Sequence, residues 1–264
     1  MGVLNVTPDS FSDGGRFVDR AAALSHARRL LAEGAGIIDV GGESTRAGAR
    51  PASLDEELER VIPVIEALRR ESAVFISVDT SKPAVMSAAV AAGADIINDI
   101  RALADHGALE AAAATGAGIC LMHMQGEPRT MQDAPHYTDV VAEVGAFLAA
   151  RVRACREAGI DASRLVLDPG FGFGKRTVDN LVLLKQLASF EALGLPIAVG
   201  LSRKSMLARL TGRGVDERLA GSIALAAIAV LHGARIVRAH EVGATVDAVR
   251  VAAAVLKGEP VDGT

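Results

Sequence analysis

The feature that most constrains the fold of this 264-residue chain is a regular alternation of short apolar runs with longer amphipathic runs. Eight apolar runs rich in β-branched residues are predicted strands, at residues 3–6, 37–40, 74–78, 95–98, 119–122, 165–167, 197–199 and 236–237. Eight longer runs are predicted helices, at residues 20–33, 54–70, 83–92, 108–114, 137–158, 178–193, 217–232 and 244–257. Strands that alternate with helices form parallel sheets, and strands that are apolar throughout are typical of sheets buried on both faces.

The number of strands favours a closed barrel over an open, doubly wound sheet. A (β/α)8 TIM barrel takes about 250 residues as a single domain. The chain has 264 residues, half of them hydrophobic, and no linker or low-complexity tract interrupts the alternation. We therefore expect an α/β fold, a single-domain TIM barrel over residues 1–264. Because the first predicted strand begins next to Met1, the N-terminal mouth of the barrel is either open or covered by a leader that precedes this sequence.

Local signals support several of the helix boundaries. Ser53 with Glu56 three residues later predicts a capping box at the start of the second helix. The acidic run 56–59 and the pair Arg28 and Arg29 are expected to form solvated helix faces. Left-handed glycines are expected after five helices, at Gly34, Gly93, Gly116, Gly159 and Gly233.

Composition argues against several classes of partner. The formal net charge is -4, Trp is absent and there is a single Tyr, so neither a basic face nor stacking platforms for nucleic acid are expected. No apolar stretch of membrane-spanning length and no signal peptide is found. Cys120 and Cys155 are far apart and are predicted to be buried thiols of a reducing compartment. We expect a cytoplasmic protein.

Ionisable or amide side chains follow every predicted strand, whereas the helix-to-strand turns carry few. The catalytic groups of such barrels lie at the C-terminal ends of the strands. Three acceptors, Asp79, Asn98 and Asp168, are predicted to line a pocket for a heterocycle with an amino group beside a ring N–H. An opposing cationic set is predicted to bind an oxyanion such as a phosphate chain: Arg46, Lys204, Arg238 and His240.

Other polar residues in these loops allow plainer interpretations. Asn5, with Asp9 and Asp13 nearby, offers hard oxygens suited to Mg2+. Asp39 and Asp99 either hold loops or bind ligands, and His123 is expected to be a satisfied core or rim histidine. The glycine run that ends in Lys175 lacks the spacing of a phosphate-binding loop and is interpreted as a turn.

Eight motifs in these loops resemble, in the same order, those of bacterial dihydropteroate synthases, a family of pterin-binding barrel enzymes. They cover the chain from Met1 to about Lys257, and the first two are long enough to make chance similarity negligible. The motifs are GVLNVTPDSFSDGG, IIDVGGESTRAGA, ISVDTSKP, IINDI, CLMHMQG, LDPGFGFGK, VGLSRKSM and VRAH.

The resemblance implies a condensation of 6-hydroxymethyl-7,8-dihydropterin pyrophosphate with p-aminobenzoate, with Mg2+ as cofactor and pyrophosphate leaving first. It implies a pterin site at Asp79, Asn98, Asp168, Lys204 and Arg238. It implies a diphosphate site at Thr45, Arg46, Arg238 and His240, and a p-aminobenzoate site at Phe11, Phe173 and Ser205. By resemblance Asn5 is the metal ligand, Asp13 completes the metal site when the first loop closes, and the catalytic group is Lys204, Arg238 and Asp13. It also implies a homodimer through the last helices.

Alternative functions remain open at this stage. A pterin-binding methyltransferase would present the same acceptors but would not need the cationic motifs, and a non-catalytic paralogue would be expected to lose them. An unrelated phosphate-binding aldolase barrel would not carry the NVTPDSFSDGG loop. One departure from the family pattern is Ala47, where the family commonly has proline after the Thr-Arg pair.

Overall fold

The computed structural model describes residues 1–7, 16–44 and 50–259, and the side chains of residues 16–19 are not described. Eight parallel strands form one sheet in sequential order. They are β1 (Gly2–Asn5), β2 (Ile37–Gly41), β3 (Phe75–Asp79), β4 (Ile96–Asp99), β5 (Gly118–Met122), β6 (Leu165–Asp168), β7 (Ile197–Gly200) and β8 (Ala234–Arg238). The sheet closes through a parallel bridge between Gly2 and Ala239, with the Val3 N–H donating to Ala239 O at 3.1 Å. The barrel prediction is confirmed.

Helices follow every strand. The described α-helices are α1 (Arg16–Ala32), α2 (Leu54–Glu71), α3 (Pro83–Ala91), α4 (Ala108–Ala113), α5 (Val140–Glu157), α6 (Thr177–Lys185), α7 (Ser205–Thr211), α8 (Leu219–Leu231) and α9 (Val242–Lys257). The prediction of one helix per strand is wrong after β7, where α7 precedes α8. The predicted helix 178–193 is also divided, because α6 ends at Lys185 and a 3-10 segment, Leu187–Leu193, follows.

The strand register brings polar residues from distant motifs into one layer. Asn5 pairs with Gly41, Gly41 with Asp79, and Asp79 with Asn98. Asn5, Gly41 and Asp79 end β1, β2 and β3, and Asn98 is the penultimate residue of β4, so the side chains of this layer are presented at the C-terminal mouth. On the other side of the barrel, Asp168 closes β6 and Arg238 closes β8.

The main core lies between the sheet and the surrounding helices. Fully buried strand residues such as Ile38, Ile76 and Ile97 pack in one cluster with helix residues such as Leu30 and Ile65. Burial of a side chain of this size stabilises the fold by roughly 1.5–3 kcal/mol. The helices therefore hold the strands rigidly, and the mouth of the barrel is positioned by the core beneath it.

Most of the local predictions are confirmed. The capping box is present, with the Ser53 N–H donating to Glu56 Oε2 at 2.7 Å and the Glu56 N–H donating to Ser53 Oγ at 3.2 Å. The prediction for Gly116 is wrong, because it has no positive φ, whereas the other four glycines do. Thr115 closes this turn instead, since its Oγ1 donates to Ala112 O and accepts from the Ala117 N–H.

Burial confirms one further prediction and contradicts another. Both cysteines are free and buried. The expectation that the acidic run 56–59 is solvated is wrong for Glu57, which is 1% exposed and paired with Lys82. Lys82 also pairs with Glu43, two residues after β2, so two carboxylates share one ammonium group. Within the described residues, none of the helices combines the length and apolar composition that crossing a lipid bilayer requires.

Candidate active site

The centre of the mouth is a guanidinium group held between two carboxylates. Arg238 Nε donates to Asp39 Oδ2 at 2.6 Å, and a second Arg238 nitrogen donates to Asp79 Oδ2 at 2.9 Å. Asn98 Nδ2 also donates to Asp39 Oδ2, at 3.2 Å. Burial lowers the pKa of Arg238, but the two carboxylates more than offset this, so its pKa lies above its ordinary value. The arginine remains charged and is fixed in orientation.

This arrangement differs from the opposing sets expected from residue charge alone, whereas the resemblance had already assigned Arg238 to both sites. Arg238 binds Asp79 directly, so a cation of the predicted oxyanion site lies within the predicted pterin site. The reason is that β8 is followed by β1, β2 and β3 around the closed barrel, within reach of a long side chain. Burial raises the pKa of Asp79 to about 7, Arg238 opposes the rise, and the negative charge of Asp39 adds to it.

A second group forms where β6 and β7 end. Asp168 is buried, and its Oδ1 accepts the Gly170 N–H at 2.7 Å. Burial raises the pKa of Asp168, against the Gly170 hydrogen bond and the charge of Lys204. Lys204 Nζ lies 4.2 Å from the centre of the Phe173 ring, a cation–π contact. Burial lowers the pKa of Lys204 to about 8, and the charge of Arg238 acts in the same direction.

The third group surrounds His240, just after β8. Ser202 Oγ lies 2.9 Å from His240 Nδ1 and 3.2 Å from Glu241 Oε2, to which it donates. Arg203, which has a left-handed φ of 60°, pairs with the same glutamate. Burial lowers the pKa of His240 to about 4, and the charges of Arg238 and Arg203 lower it further. Since Nδ1 faces Ser202, Nε2 is the ring nitrogen left for a ligand.

Asn5 offers an oxygen for a metal. A Cβ atom added at Gly41 would lie 3.6 Å from Asn5 Oδ1 and 3.8 Å from Asp79 Oδ2, so the two side chains converge over that glycine. The carboxamide makes no hydrogen bond with another described residue. Hard, uncommitted oxygens of this kind fit Mg2+, which usually keeps several waters and binds few protein groups. In the described part of the chain, no cluster of three His, Cys, Asp or Glu side chains forms a more complete metal site.

The structure brings together seven of the predicted site residues at one mouth and leaves four undescribed. Asp79, Asn98, Asp168, Lys204, Arg238, His240 and Asn5 end the strands or directly follow them. Phe173 touches Lys204, and Ser205 is the exposed first residue of α7. Four predicted site residues lie outside the described residues, namely Phe11, Asp13, Thr45 and Arg46. Asp9 and Ala47 lie outside them as well.

Several residues have roles that the sequence did not reveal. Asp39 was left open between loop and ligand roles, and it is the fully buried partner of Arg238. Asp99 holds a loop, because it accepts the N–H groups of Arg101 and Leu103. The Ser202–Glu241 contact was not predicted, although both residues follow strand ends, which was the available signal. His123 is buried and hydrogen-bonded, as predicted.

Comparisons with known proteins agree with this fold. The family described as "Pterin binding enzyme" matches residues 1–240. Dihydropteroate synthase of Escherichia coli (strain K12) is 55% identical over 98% of this chain and 92% of its own length. The Xanthomonas albilineans enzyme with 4-aminobenzoic acid superposes with a TM-score of 0.92 at 54% identity, over 97% of this chain and 92% of that chain. The Burkholderia cenocepacia enzyme complexed with 7,8-dihydropteroate superposes with a TM-score of 0.88 at 51% identity, over 98% of this chain and 91% of that chain. The chain therefore belongs to the dihydropteroate synthase family of pterin-binding enzymes and is a transferase.

Proposed function

We propose that this enzyme joins 6-hydroxymethyl-7,8-dihydropterin pyrophosphate to p-aminobenzoate, giving 7,8-dihydropteroate and pyrophosphate. The observation that carries the proposal is the mouth of the barrel, where Arg238 bonded to Asp39 and Asp79 lies among Asn98, Asp168 and Lys204. The names of relatives that are more than half identical to this chain, and of structures holding 4-aminobenzoic acid and 7,8-dihydropteroate, support the same substrates.

The pterin ring is assigned to the acceptor side of the mouth. Asp168, Asp79 and Asn98 present oxygens to the amino group and ring N–H donors of the pterin. Burial raises the pKa of both carboxylates, and a paired donor array would favour their ionised forms and lower the pKa again. Lys204 and Arg238 supply donors for the pterin carbonyl and ring nitrogens. Flat, two-pronged recognition of this kind fixes the orientation of the ring.

The departing pyrophosphate is assigned to the cationic residues around β7 and β8. Breaking the C–O bond leaves the electron pair on the pyrophosphate, so the main demand is stabilisation of that growing charge. Arg238 is already oriented, and His240 can offer Nε2. A bound diphosphate would raise the pKa of His240 from about 4 and favour an imidazolium that donates to phosphate oxygens. Thr45 and Arg46, which lie outside the described residues, are proposed to complete this site.

Mg2+ held in part by Asn5 would neutralise pyrophosphate charge as the bond breaks. Asn5 fits this assignment because its oxygen has no partner among the described residues and faces the space above Gly41. Asp13, also outside the described residues, is proposed to add a carboxylate oxygen beside the carboxamide oxygen of Asn5. The described residues supply few other hard ligands here, which is usual for a metal that binds substrate phosphates.

The arylamine is assigned to the side of the mouth formed by Phe173 and Ser205, with Phe11 from the first loop. An aniline nitrogen is nucleophilic when neutral, so no general base is required for attack on the cation-like methylene carbon. The nitrogen forms the new C–N bond with its lone pair and loses one proton to solvent. Phe173 is suited to contact the aromatic ring, because its own ring is held in place against Lys204.

The test is production of 7,8-dihydropteroate by the purified enzyme, with and without added Mg2+. We expect turnover that needs both substrates and falls sharply when the metal is chelated. Pterin binding measured by calorimetry without product formation would instead support a non-catalytic paralogue. Turnover unaffected by chelation would remove the metal from the proposal and leave the condensation intact.

We also propose that the enzyme is a homodimer through α8 and α9. The two helices pack against each other and expose large apolar side chains, including Ile228 and Leu231 on α8 and Val251 and Val255 on α9. Val251 and Val255 are 66% and 68% exposed, and they lie one helical turn apart on the same face. Light scattering of the wild type and of Val255→Glu would test this: a monomeric wild type would contradict it.

A further inference from the structure

Lys175 is a buried lysine that the proposed reaction does not use. Lys175 is only 3% exposed, and its ammonium group forms no ion pair with a carboxylate of the described residues. Nζ instead lies 2.9 Å from Gly170 O, 3.1 Å from Phe173 O and 3.3 Å from His123 O. The fourth acceptor is His123 Nδ1, also at 2.9 Å. A buried cation without such acceptors would be costly, so this cage is what makes its burial tolerable.

The acceptors belong to two loops that are pressed together. Gly170 and Gly174 have φ values of 71° and 60°, and a Cβ atom on them would lie 1.8 Å from His123 O and 2.2 Å from Gln125 O. Only glycine allows the 168–175 loop to approach the loop after β5 so closely. The lysine ammonium then cross-links the two loops, since it binds carbonyl groups of both.

The 168–175 loop carries two residues of the proposed site at fixed positions. Asp168 begins it, with Oδ1 accepting the Gly170 N–H. The Phe173 carbonyl oxygen accepts from Lys175 Nζ, and the Phe173 ring lies against Lys204. A Cβ atom at Gly172 would lie 2.9 Å from Lys204 Cδ. A loop that relaxed by a fraction of an ångström would disturb both contacts.

The geometry excludes a direct chemical role for this lysine. Burial lowers the pKa of Lys175 to about 7, with Asp168 opposing the shift, and such a value would suit a general base. The amine, however, is enclosed by carbonyls and by His123, whose ring packs edge-on against Phe147 at 4.9 Å. Any effect on the reaction must therefore pass through the loop.

We propose that Lys175 is a positioning residue, whose buried ammonium group holds the 168–175 loop so that Asp168 faces the pterin and Phe173 lies against Lys204. This inference rests on the proposed function, because it assigns the loop to that pterin site. The charged groups that act on Lys175 from outside its own loop are Lys204 after β7 and Asp179 on α6, and the titratable group in contact with it is the neutral imidazole of His123 after β5. Asp168 itself also senses Arg238 from β8.

The test compares Lys175→Met and Lys175→Gln with Tyr137→Phe. Tyr137 Oη donates to Gly174 O at 2.8 Å, so its substitution removes one hydrogen bond from the same loop without a change in charge. Circular dichroism establishes folding, calorimetry gives the affinity for 6-hydroxymethylpterin between pH 4 and 8, and kinetics give the p-aminobenzoate KM. In the lysine variants we expect pterin affinity to fall about tenfold, the loss typical of one charged hydrogen bond.

A shift in the pH profile separates positioning from plain stabilisation. Loss of the nearby cation should raise the pKa of Asp168, so the acid limb of pterin binding should move up by about one pH unit. Tyr137→Phe should melt earlier but keep the wild-type affinity, acid limb and KM. Folded lysine variants that match Tyr137→Phe in pterin affinity, acid limb and p-aminobenzoate KM would overturn the inference.

If neither lysine variant folds, nitrogen-15 spectra of the wild-type lysine ammonium groups still decide the question. The Lys175 signal should shift when 6-hydroxymethylpterin is added, and an unchanged signal would overturn the inference. A wild-type enzyme that binds the pterin but forms no dihydropteroate would refute the proposed function alone. The role of Lys175 depends on ratios of pterin affinity between variants, which are measured without turnover.

Discussion

Asp39→Asn should reveal how the carboxylate pair around Arg238 is balanced. The substitution keeps the shape of the side chain and removes one fully buried charge. Asparagine can still accept from Arg238 Nε, so a charged hydrogen bond is replaced by a weaker one. Its amide nitrogen can take the place of Asp39 Oδ1, an oxygen that has no partner among the described residues.

The size of the effect follows from these contacts. A hydrogen bond that involves a charged group contributes about 1.5–3 kcal/mol, and we expect the bond to lie toward the low end of that range once Arg238 is its only charged partner. The free energy of unfolding should therefore fall by about 1–2 kcal/mol, and each kcal/mol lowers the Tm by about 2–4 °C in a protein of this size. The negative charge of Asp39 also helps to raise the pKa of Asp79 to about 7, so the substitution should lower that pKa. The enzyme should become less stable and yet retain pterin binding at lower pH.

Urea unfolding followed by circular dichroism and pterin calorimetry between pH 5 and 8 would measure both effects. Ser77→Ala is the matched control, because Ser77 pairs with Asp39 in the strand register, is fully buried, and has a hydroxyl with no partner among the described residues. It should leave stability and the binding profile close to wild type. An Asp39→Asn enzyme as stable as this control, or with its acid limb unmoved, would refute the reasoning.

Three further changes test separate parts of the site. Pterin affinity should fall as pH rises through about 8, where Lys204 loses its proton. In Lys204→Arg this fall in affinity should be absent. Calorimetry of both proteins at the same pH values would measure it, because titration of the pterin itself then affects both equally. The pKa of His240 lies at about 4 instead of its ordinary 6.5, so between these values the unfolded chain binds a proton that the folded protein does not. Stability is thus lost as pH falls from 6.5 to about 4, and urea titrations of His240→Gln should show a smaller loss; an equal loss would contradict the assignment. Ala47→Pro should change the p-aminobenzoate KM or sulfonamide inhibition by stiffening the second loop, and kinetics identical to wild type would count against that hypothesis.

The fold could be predicted because its signals are local. Each strand is a short apolar run, and the eight observed strands begin and end within two residues of their predicted bounds. The helix α7 was not predicted, because its first residues belong to the motif VGLSRKSM, which was assigned to the loop after β7, and its N-cap residue, Lys204, makes no side-chain capping bond. Parallel topology then carries every strand end to the same mouth, so the polar motifs were expected to converge there.

The pairing of side chains within the mouth was beyond sequence reasoning. Arg238 binds partners that lie 199 and 159 residues away along the chain, and the carboxylate a flexible guanidinium reaches depends on distances across the closed barrel. Residue charge alone suggested opposing sets, and the resemblance, which assigned Arg238 to both sites, did not indicate which carboxylates it binds. The same limit explains Glu57. Its position in an acidic run of a helix suggested that it is exposed to solvent, but in the structure it is buried and paired with Lys82.

The glycine run before Lys175 makes the clearest case of a motif whose polarity depends on backbone conformation. A phosphate-binding loop turns its N–H groups toward the ligand and uses its lysine to add positive charge. Here Gly170 O and Phe173 O both turn toward the lysine, so the loop presents acceptors inward and they accept the hydrogen bonds of its own cation. A loop of that polarity is unsuited to a diphosphate. This polarity supports the proposed placement of the pyrophosphate on the other side of the mouth, where Arg238 ends β8 and His240 follows it.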